Sequence, residues 1–203
     1  MERKPSEKRK AEIVDVSMTL LMEEGMQSLT IKNISARNNI SEAAIYRHFP
    51  DKHSILMAMV DVFEQNLMQA INSPIKNHQN PLQQLQEIMK SHMIFTEKTK
   101  GVLFSITGEA VHCNDDQLRR KILEVIDAYK SEIKKILQEA KTKGLIRNDI
   151  NLDAASLCFF GFIQTAIIKY ALTNYKIPPI SKFNNTWKLF LNGILNDQSN
   201  TKE

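Results

Sequence analysis

The chain has 203 residues, which is enough for one domain or for a small domain and a larger one, and it can bury a core. Its 42% hydrophobic and 25% charged residues exclude disorder as the main state, and a formal net charge of +4 excludes a histone-like polycation. The two cysteines lie far apart in the sequence, which excludes a disulfide framework. Together with the charged N-terminus, which has no apolar leader, this favours a protein of the reducing cytoplasm.

Three short helices are predicted within the first fifty residues. The first spans residues 6–24 and ends at Gly25, a residue suited to a left-handed cap. Its apolar stripe consists of Ile13, Val16, Leu20 and Leu21. A second helix of about eight residues follows Thr30, and a third follows Ser41 and ends at Pro50. Both hydroxyl residues are typical N-caps, because their oxygens accept bonds from the free amides of a first turn.

The remainder of the chain also has helical periodicity. Asp51 can cap a fourth helix that runs to about Ile71, where residues 72–81, with two prolines, are predicted to interrupt it. Further helices are predicted over residues 82–98, 102–113, 116–143, 152–175 and 182–196. No segment alternates with the period of a strand, and glycine and proline number only six each. The chain is therefore predicted to be all-α, with a boundary near residue 50.

The segment from Ala154 to Ile168 is the most apolar in the chain. It contains Ser156, Gln164 and Thr165 and falls short of a membrane span, so we expect a buried helix and no membrane partner. Because it is apolar nearly all round, it must be covered on more than one side, which favours a two-fold dimer. The alternative is that the core of one monomer covers it. The predicted interface residues are Gly161, Ile168, Leu172, Trp187, Leu191 and Ile194.

The second and third helices have the arrangement of a helix-turn-helix motif. Asn38 and Asn39 can adopt the positive φ of the tight turn between them, and the first helix would brace the pair. In such motifs the second helix lies in the DNA major groove, where arginine reads guanine and hydroxyl groups bind phosphates. A plain helical hairpin has the same apolar spacing, so periodicity alone leaves both interpretations open.

The identities of the residues are more specific. The run LTIKNISARNNISEAAIYRHFPDKHSIL, from Leu29 to Leu56, resembles the DNA-binding module of the tetracycline-repressor (TetR) family, above all in the block IYRHFPDK. The resemblance implies a three-helix DNA-binding head, residues 1–50, and a helical ligand-binding and dimerisation body, residues 51–203. It implies phosphate contacts from Thr30, Ser41, Tyr46 and Lys52 and base-edge positions at Glu42, Ala43, Ala44 and Arg47, while His48 could serve either role. The chain departs from the family pattern at Ser35, Asn38 and Asn39.

The charge of the head is nearly balanced, since residues 1–52 hold nine Lys or Arg and eight Asp or Glu. DNA affinity must therefore come from the placement of the basic residues. One cluster lies at the N-terminus, where it could contact a phosphate backbone or a minor groove, or could simply be a solvated terminus. Its members are Arg3, Lys4, Lys8, Arg9 and Lys10.

In the body, the default ligand site is an apolar cavity with a few polar groups. The candidates combine bulk with polarity and are Met89, His92, Met93, Phe104, Glu109, Cys113, Tyr129 and Phe160. Such residues at helical spacing also build ordinary cores. No spacing among His92, Glu109, His112 and Cys113 matches a metal site, so we expect no metal and no other cofactor.

The sequence thus predicts a homodimeric, cytoplasmic transcription regulator. It would be a repressor that binds a palindromic double-stranded DNA operator and is released by a small, mostly apolar effector. One alternative is a regulator or nucleoid-associated dimer of the same fold without an effector. The other is an all-helical enzyme, but the motifs G-x-S-x-G and H-E-x-x-H, a P-loop and a dinucleotide fingerprint are all missing, so we expect no catalysis.

Overall fold

The computed structural model describes residues 6–196, and this part of the chain is all-α, as predicted. Its helices are α1 (Ser6–Glu24), α2 (Ile31–Arg37), α3 (Glu42–Tyr46), α4 (Lys52–Asn77), α5 (Pro81–Thr99), α6 (Val102–His112), α7 (Asp116–Thr142), α8 (Leu152–Leu172) and α9 (Phe183–Ile194). Short 3₁₀ turns cover Met26–Ser28 and Pro179–Lys182. Within the described residues, extended pairing is limited to an isolated bridge between Ile146 and Leu195.

The predicted interruption of the fourth helix at residue 72 is wrong. α4 begins as predicted, since the Asp51 carboxylate accepts a bond from the Ser54 amide at 2.7 Å, but it continues through Pro74 to Asn77. A proline inside a helix lacks the amide that would donate to the carbonyl four residues earlier, but its own carbonyl still accepts, here from the His78 amide at 3.1 Å. The break comes instead at Asn80, whose side chain caps α5 through the Leu82 amide at 2.9 Å.

α8 also ends earlier than the predicted residue 175. Asn174 and Tyr175 adopt left-handed backbone angles, with φ of 49° and 60°, which no helix can continue through. The Tyr175 amide instead donates to the Tyr170 carbonyl at 2.9 Å, which closes the helix end.

The chain forms two compact units. The first comprises the residues up to 65 together with residues 101–124, and the second comprises residues 66–100 and those from 125 onward. The first unit therefore contains α6 in addition to α1, α2 and α3.

The core of the first unit is formed by apolar residues that are almost completely buried. Among its largest members are Ile13, Leu20, Leu29, Ile34, Ile45 and Ile55. Ile34 of α2 and Ile45 of α3 are fully buried, while Ile40 in the turn between them is half-buried. Each such side chain stabilises the fold by roughly 1.5–3 kcal/mol through burial alone.

The core of the second unit joins α5, α8, α9 and the turn Pro179–Lys182. Aromatic rings dominate it: the centroids of Phe159 and Phe190 lie 5.3 Å apart, and those of Trp187 and Phe190 lie 6.0 Å apart. The Glu97 carboxylate of α5 accepts a bond from the Ile180 amide at 3.0 Å, which fixes the turn against this helix.

Candidate nucleic-acid interface

The turn between α2 and α3 is set by its hydrogen bonds. Thr30 caps α2 by accepting from the Asn33 amide at 3.2 Å, and Ser41 caps α3 by accepting from the Ala44 amide at 3.2 Å. Between them Asn39 adopts a φ of 53°, and the Ile40 amide donates to the Ser35 carbonyl at 3.1 Å. Because a capping hydroxyl uses its oxygen as acceptor, both residues keep an O–H group that can donate to a phosphate.

The other departures from the family pattern are satisfied locally. The Ser35 hydroxyl is buried and donates to the Lys32 carbonyl at 2.9 Å, and the Asn38 amide group donates to the Ile34 carbonyl at 2.9 Å. Neither polar side chain therefore lacks a partner, and the packing of α2 tolerates both.

α3 presents a polar surface to solvent because Ile45 fixes its buried side. Of the predicted base-edge residues, Glu42, Ala43 and Arg47 are exposed and Ala44 is half-buried. Tyr46, a predicted phosphate contact, is 51% exposed, an unusual position for an aromatic side chain. His48 is half-buried, with Nδ1 at 3.4 Å from the Ser6 hydroxyl. The structure thus places Glu42, Ala43 and Tyr46 on the exposed side of α3 and the exposed Arg47 at its C-cap.

Lys52 has a partner that sequence reasoning did not predict. Its Nζ donates to Glu109 Oε1 of α6 at 2.9 Å, and the two side chains are 35% and 23% exposed. Nearby, His53 Nδ1 lies 2.6 Å from Asp115 Oδ2. The bond from the Leu118 amide is the main reason why the pKa of Asp115 lies below its ordinary value. Lys52 and Glu109 are 57 residues apart in the chain, and His53 and Asp115 are 62 residues apart, so no local sequence pattern indicates either pair.

The N-terminal basic cluster is partly neutralised. Arg9 pairs with Glu12 at 3.0 Å, and Lys10 pairs with Glu7 at 3.4 Å. Lys8 is exposed, whereas Arg3 and Lys4 lie outside the described residues.

The eight predicted ligand-pocket residues separate into two groups. Phe104, Glu109 and Cys113 belong to the first unit, where Phe104 is 43% exposed, Cys113 is exposed and Glu109 holds Lys52. The other five belong to the second unit and are Met89, His92, Met93, Tyr129 and Phe160. All of these except the half-buried Phe160 are buried.

His92 and Tyr129 form an aromatic cluster with Phe160. The ring centroids of His92 and Tyr129 lie 5.0 Å apart, edge to face, and those of Tyr129 and Phe160 lie 5.5 Å apart. Both His92 Nδ1 and the Tyr129 hydroxyl are buried without a hydrogen-bond partner in the part of the chain that the structure describes. Burial lowers the pKa of His92 to about 4 and raises the pKa of Tyr129, so both groups are uncharged at neutral pH.

Comparison with known proteins decides the family. Residues 79–195 match the family model described as "Tetracyclin repressor-like, C-terminal domain", and residues 13–59 match "Bacterial regulatory proteins, tetR family". The chain belongs to the tetracycline-repressor family. It is a DNA-binding regulator of the TetR type, with an N-terminal DNA-binding module followed by a helical domain.

This TetR-family chain is similar in sequence to a nucleoid occlusion factor and in structure to transcription regulators. The nucleoid occlusion factor SlmA of Colwellia psychrerythraea is 26% identical over 183 residues, which is 90% of this chain and 92% of SlmA. A TetR transcription regulator from Haloarcula marismortui has a TM-score of 0.83 at 14% identity, covering 94% of this chain and all of that one. FadR of Bacillus subtilis, solved with stearoyl-CoA, has a TM-score of 0.77 at 19% identity, covering 91% and 98%. The solved structures establish the fold of this TetR-family protein.

The predicted dimer residues of this TetR-family protein also separate into two groups. Ile168 and Leu172 of α8 are 40% and 81% exposed, and open space lies beside Gly161. Trp187 and Ile194 of α9 are instead buried in the core of their own unit, and Leu191 is half-buried. The residues of α9 that pack on the aromatic core are therefore already covered, whereas Leu189 of the same helix is 65% exposed.

α8 is also less covered than predicted. By length and composition it could cross a membrane, with a mean hydropathy of 1.5 over its most apolar window, but core helices of soluble proteins pass the same test. Only 28% of that window is buried within the protomer, although we expected a buried helix. Leu157 is 58% exposed and lies on the same side of α8 as Ile168 and Leu172.

Sequence reasoning missed an open cleft of about 530 Å³ in the second unit of this TetR-family protein. It lies between the second half of α4 and α5 and is lined by Asn66, Gln69, Ala70, Ser73, Pro74, His78, Glu87, Ser91, Ile94, Phe95 and Lys98. None of the predicted pocket residues is among them. The cleft depends on the continuation of α4 past residue 71. The sequence predicts that the helix is interrupted there, because residues 72–81 contain two prolines.

Proposed function

We propose that this TetR-family protein is a homodimeric cytoplasmic repressor, released from a palindromic operator by a small, mostly apolar effector. The observation that carries the proposal is the surface of α3 and its C-cap, where Glu42, Ala43 and the capping Arg47 are exposed while Ile45 is fully buried. An exposed helix with an arginine, held by a tight turn and two hydroxyl caps, has the chemistry of a recognition helix.

The contacts of the head divide by chemistry. The hydroxyl groups of Thr30, Ser41 and Tyr46 can donate to phosphate oxygens, and Lys52 adds a positive charge at the start of α4. Phosphate contacts set affinity and register without reading sequence. Arg47 is the side chain that can form a bidentate pair with guanine, so we assign sequence recognition mainly to it.

The uncovered face of α8 supports the dimer. Its exposed apolar residues are Leu157, Ile168 and Leu172, and an apolar surface of this kind is a typical protein interface. The small Gly161 between them allows a partner helix to approach closely. A two-fold dimer carries two recognition helices, and these must lie about 34–36 Å apart, or a multiple of that distance, to enter successive major grooves.

The effector is supported by the second unit and by the relatives. The cluster of His92, Tyr129 and Phe160 combines aromatic surface with polar groups, as ligand sites usually do. FadR of Bacillus subtilis was solved with stearoyl-CoA and FadR of Thermus thermophilus with lauroyl-CoA, and both share this fold. A ligand with a long apolar part is therefore the class that we favour.

A second candidate function is a DNA-binding dimer that needs no effector. It is favoured by the similarity to the nucleoid occlusion factor SlmA, which covers 90% of this chain. The family model that matches residues 79–195 is also named for SlmA-like C-terminal domains. The two candidates share the head and the dimer, so they differ only in whether a ligand changes DNA affinity.

Operator binding in the presence of apolar probes tests the proposal. The full chain is titrated into an operator duplex, obtained by selection from random DNA, with and without lauroyl-CoA or 1-octanol. An effector must lower operator affinity by about 5–150-fold, and the operator must weaken ligand binding by the same factor. If the duplex binds with the same affinity whatever probe is present, the second candidate replaces the first.

A further inference from the structure

Two aromatic side chains with polar groups lie in the core of the second unit. The side chains of His92 on α5 and Tyr129 on α7 are 3% and 0% exposed, and their rings are in edge-to-face contact. Among residues 6–196, His92 Nδ1 and the Tyr129 hydroxyl nevertheless have no hydrogen-bond partner. A buried polar atom without a partner destabilises a protein, so a leucine and a phenylalanine would serve packing alone at least as well.

We propose that His92 and Tyr129 form the polar end of an internal ligand site, and that its ligand is an uncharged apolar alcohol. The proposal rests on the effector-controlled repressor proposed above and specifies the chemistry of the effector. A hydroxyl group both donates and accepts, so an alcohol can pair with the Tyr129 hydroxyl and with His92 Nδ1 whichever tautomer the imidazole adopts.

Charge argues against an acidic ligand at this position. Burial keeps His92 neutral, with a pKa lowered to about 4, and it raises the pKa of Tyr129, so neither group offers a positive charge to a carboxylate. Removing a carboxylate from water without a cation to pair with costs far more than removing a hydroxyl. The site therefore selects an alcohol over the acid of equal chain length.

The surrounding side chains can make room for such a ligand. Phe160 packs on Tyr129, with the ring centroids 5.5 Å apart, and it is half-buried, so it lies between Tyr129 and solvent. Met89 and Met93 lie on the same face of α5 as His92, three residues before it and one after it, and both are fully buried. Their unbranched side chains adapt to the shape of a guest more easily than branched ones.

Binding of alcohols to the full chain tests the proposal. 1-Octanol and 3-phenylpropan-1-ol serve as alcohols and octanoate as the charged counterpart, with calorimetry as the readout. The unmodified protein should bind both alcohols, and octanoate at least tenfold more weakly. Tyr129→Phe should weaken alcohol binding by about 5–30-fold, the value of one hydrogen bond in a buried site. Tyr170→Phe, a change of the same kind at another tyrosine of the second unit, should bind as the unmodified protein does.

The thermal stability of the ligand-free protein separates the proposal from a structural role. If the Tyr129 hydroxyl has no partner, Tyr129→Phe leaves the melting temperature unchanged or raises it. A clear fall would mean that an internal water satisfies the hydroxyl, and this would overturn the proposal. So would a failure of both alcohols to bind, or binding that Tyr129→Phe does not weaken.

A parallel measurement keeps this inference distinct from the proposed function. Operator affinity of the unmodified protein is recorded with each alcohol present. Alcohol binding that depends on Tyr129 but leaves operator affinity unchanged would support the ligand site and contradict the effector-controlled repressor.

Discussion

The ion pair between Lys52 and Glu109 should limit DNA affinity, because the phosphate contact that we propose for Lys52 requires it to leave the carboxylate. Lys52 Nζ and Glu109 Oε1 lie 2.9 Å apart, and the two side chains are 35% and 23% exposed. An ion pair that is partly exposed in this way stabilises each head by about 0.2–1 kcal/mol. Glu109→Gln removes the charge that competes with the phosphate. For a dimer with two heads we expect operator affinity to rise by about 2–30-fold.

The assay is fluorescence anisotropy of a labelled operator over a range of salt concentrations, with a double-mutant cycle. Lys52→Ala should weaken binding and reduce the salt slope by about one phosphate contact per head, and in its background Glu109→Gln should have little effect. Glu139→Gln serves as the control, since Glu139 pairs with Lys143 at 2.6 Å in the second unit. The reasoning is refuted if Glu109→Gln leaves affinity unchanged, or if its effect is the same without Lys52.

Three further predictions follow from single residues. Arg47→Ala should cost about 1–3 kcal/mol on the operator and relax sequence preference, whereas Lys52→Ala should weaken all sequences alike; competition with operator variants distinguishes the two. Leu172→Glu should give folded monomers, because this side chain is 81% exposed in the protomer, and sedimentation showing an intact dimer would place the interface elsewhere. His92 binds a proton below pH 6.5 when unfolded but only below about pH 4 when folded, so stability should fall by roughly 3 kcal/mol as the pH falls from 6.5 to 4. His92→Phe should remove this contribution, as denaturant unfolding at pH 7 and pH 5 would show.

The head could be predicted from sequence because its determinants are local. Caps such as Thr30 and Ser41 bond amides three residues away, and Asn39 sets the turn through its own backbone angle. Ile34 and Ile45 are the large apolar residues that α2 and α3 bury, and each lies about one turn after the capping residue of its helix. The resemblance to a known family then gave these positions their roles, which periodicity could not.

The body could be predicted as a set of helices but not as a set of contacts. Helical spacing does not tell whether an apolar stripe faces its own core or a partner, and for this reason Trp187 and Leu172 received the same role although one is buried and the other exposed. The pairing of Lys52 with Glu109 joins residues 57 positions apart and depends on how α6 packs. Pro74 misled the prediction of α4, because a proline weakens a helix without always ending it.

Selection of binding sites from a random pool of double-stranded DNA tests the central claim, that α3 gives a two-fold dimer its operator specificity. The account predicts enrichment of a palindrome whose half-sites are separated by one helical turn or a multiple of it, and a loss of that enrichment in Arg47→Ala. Enrichment of a single unpaired site, of no sequence, or of the same palindrome by Arg47→Ala would contradict it.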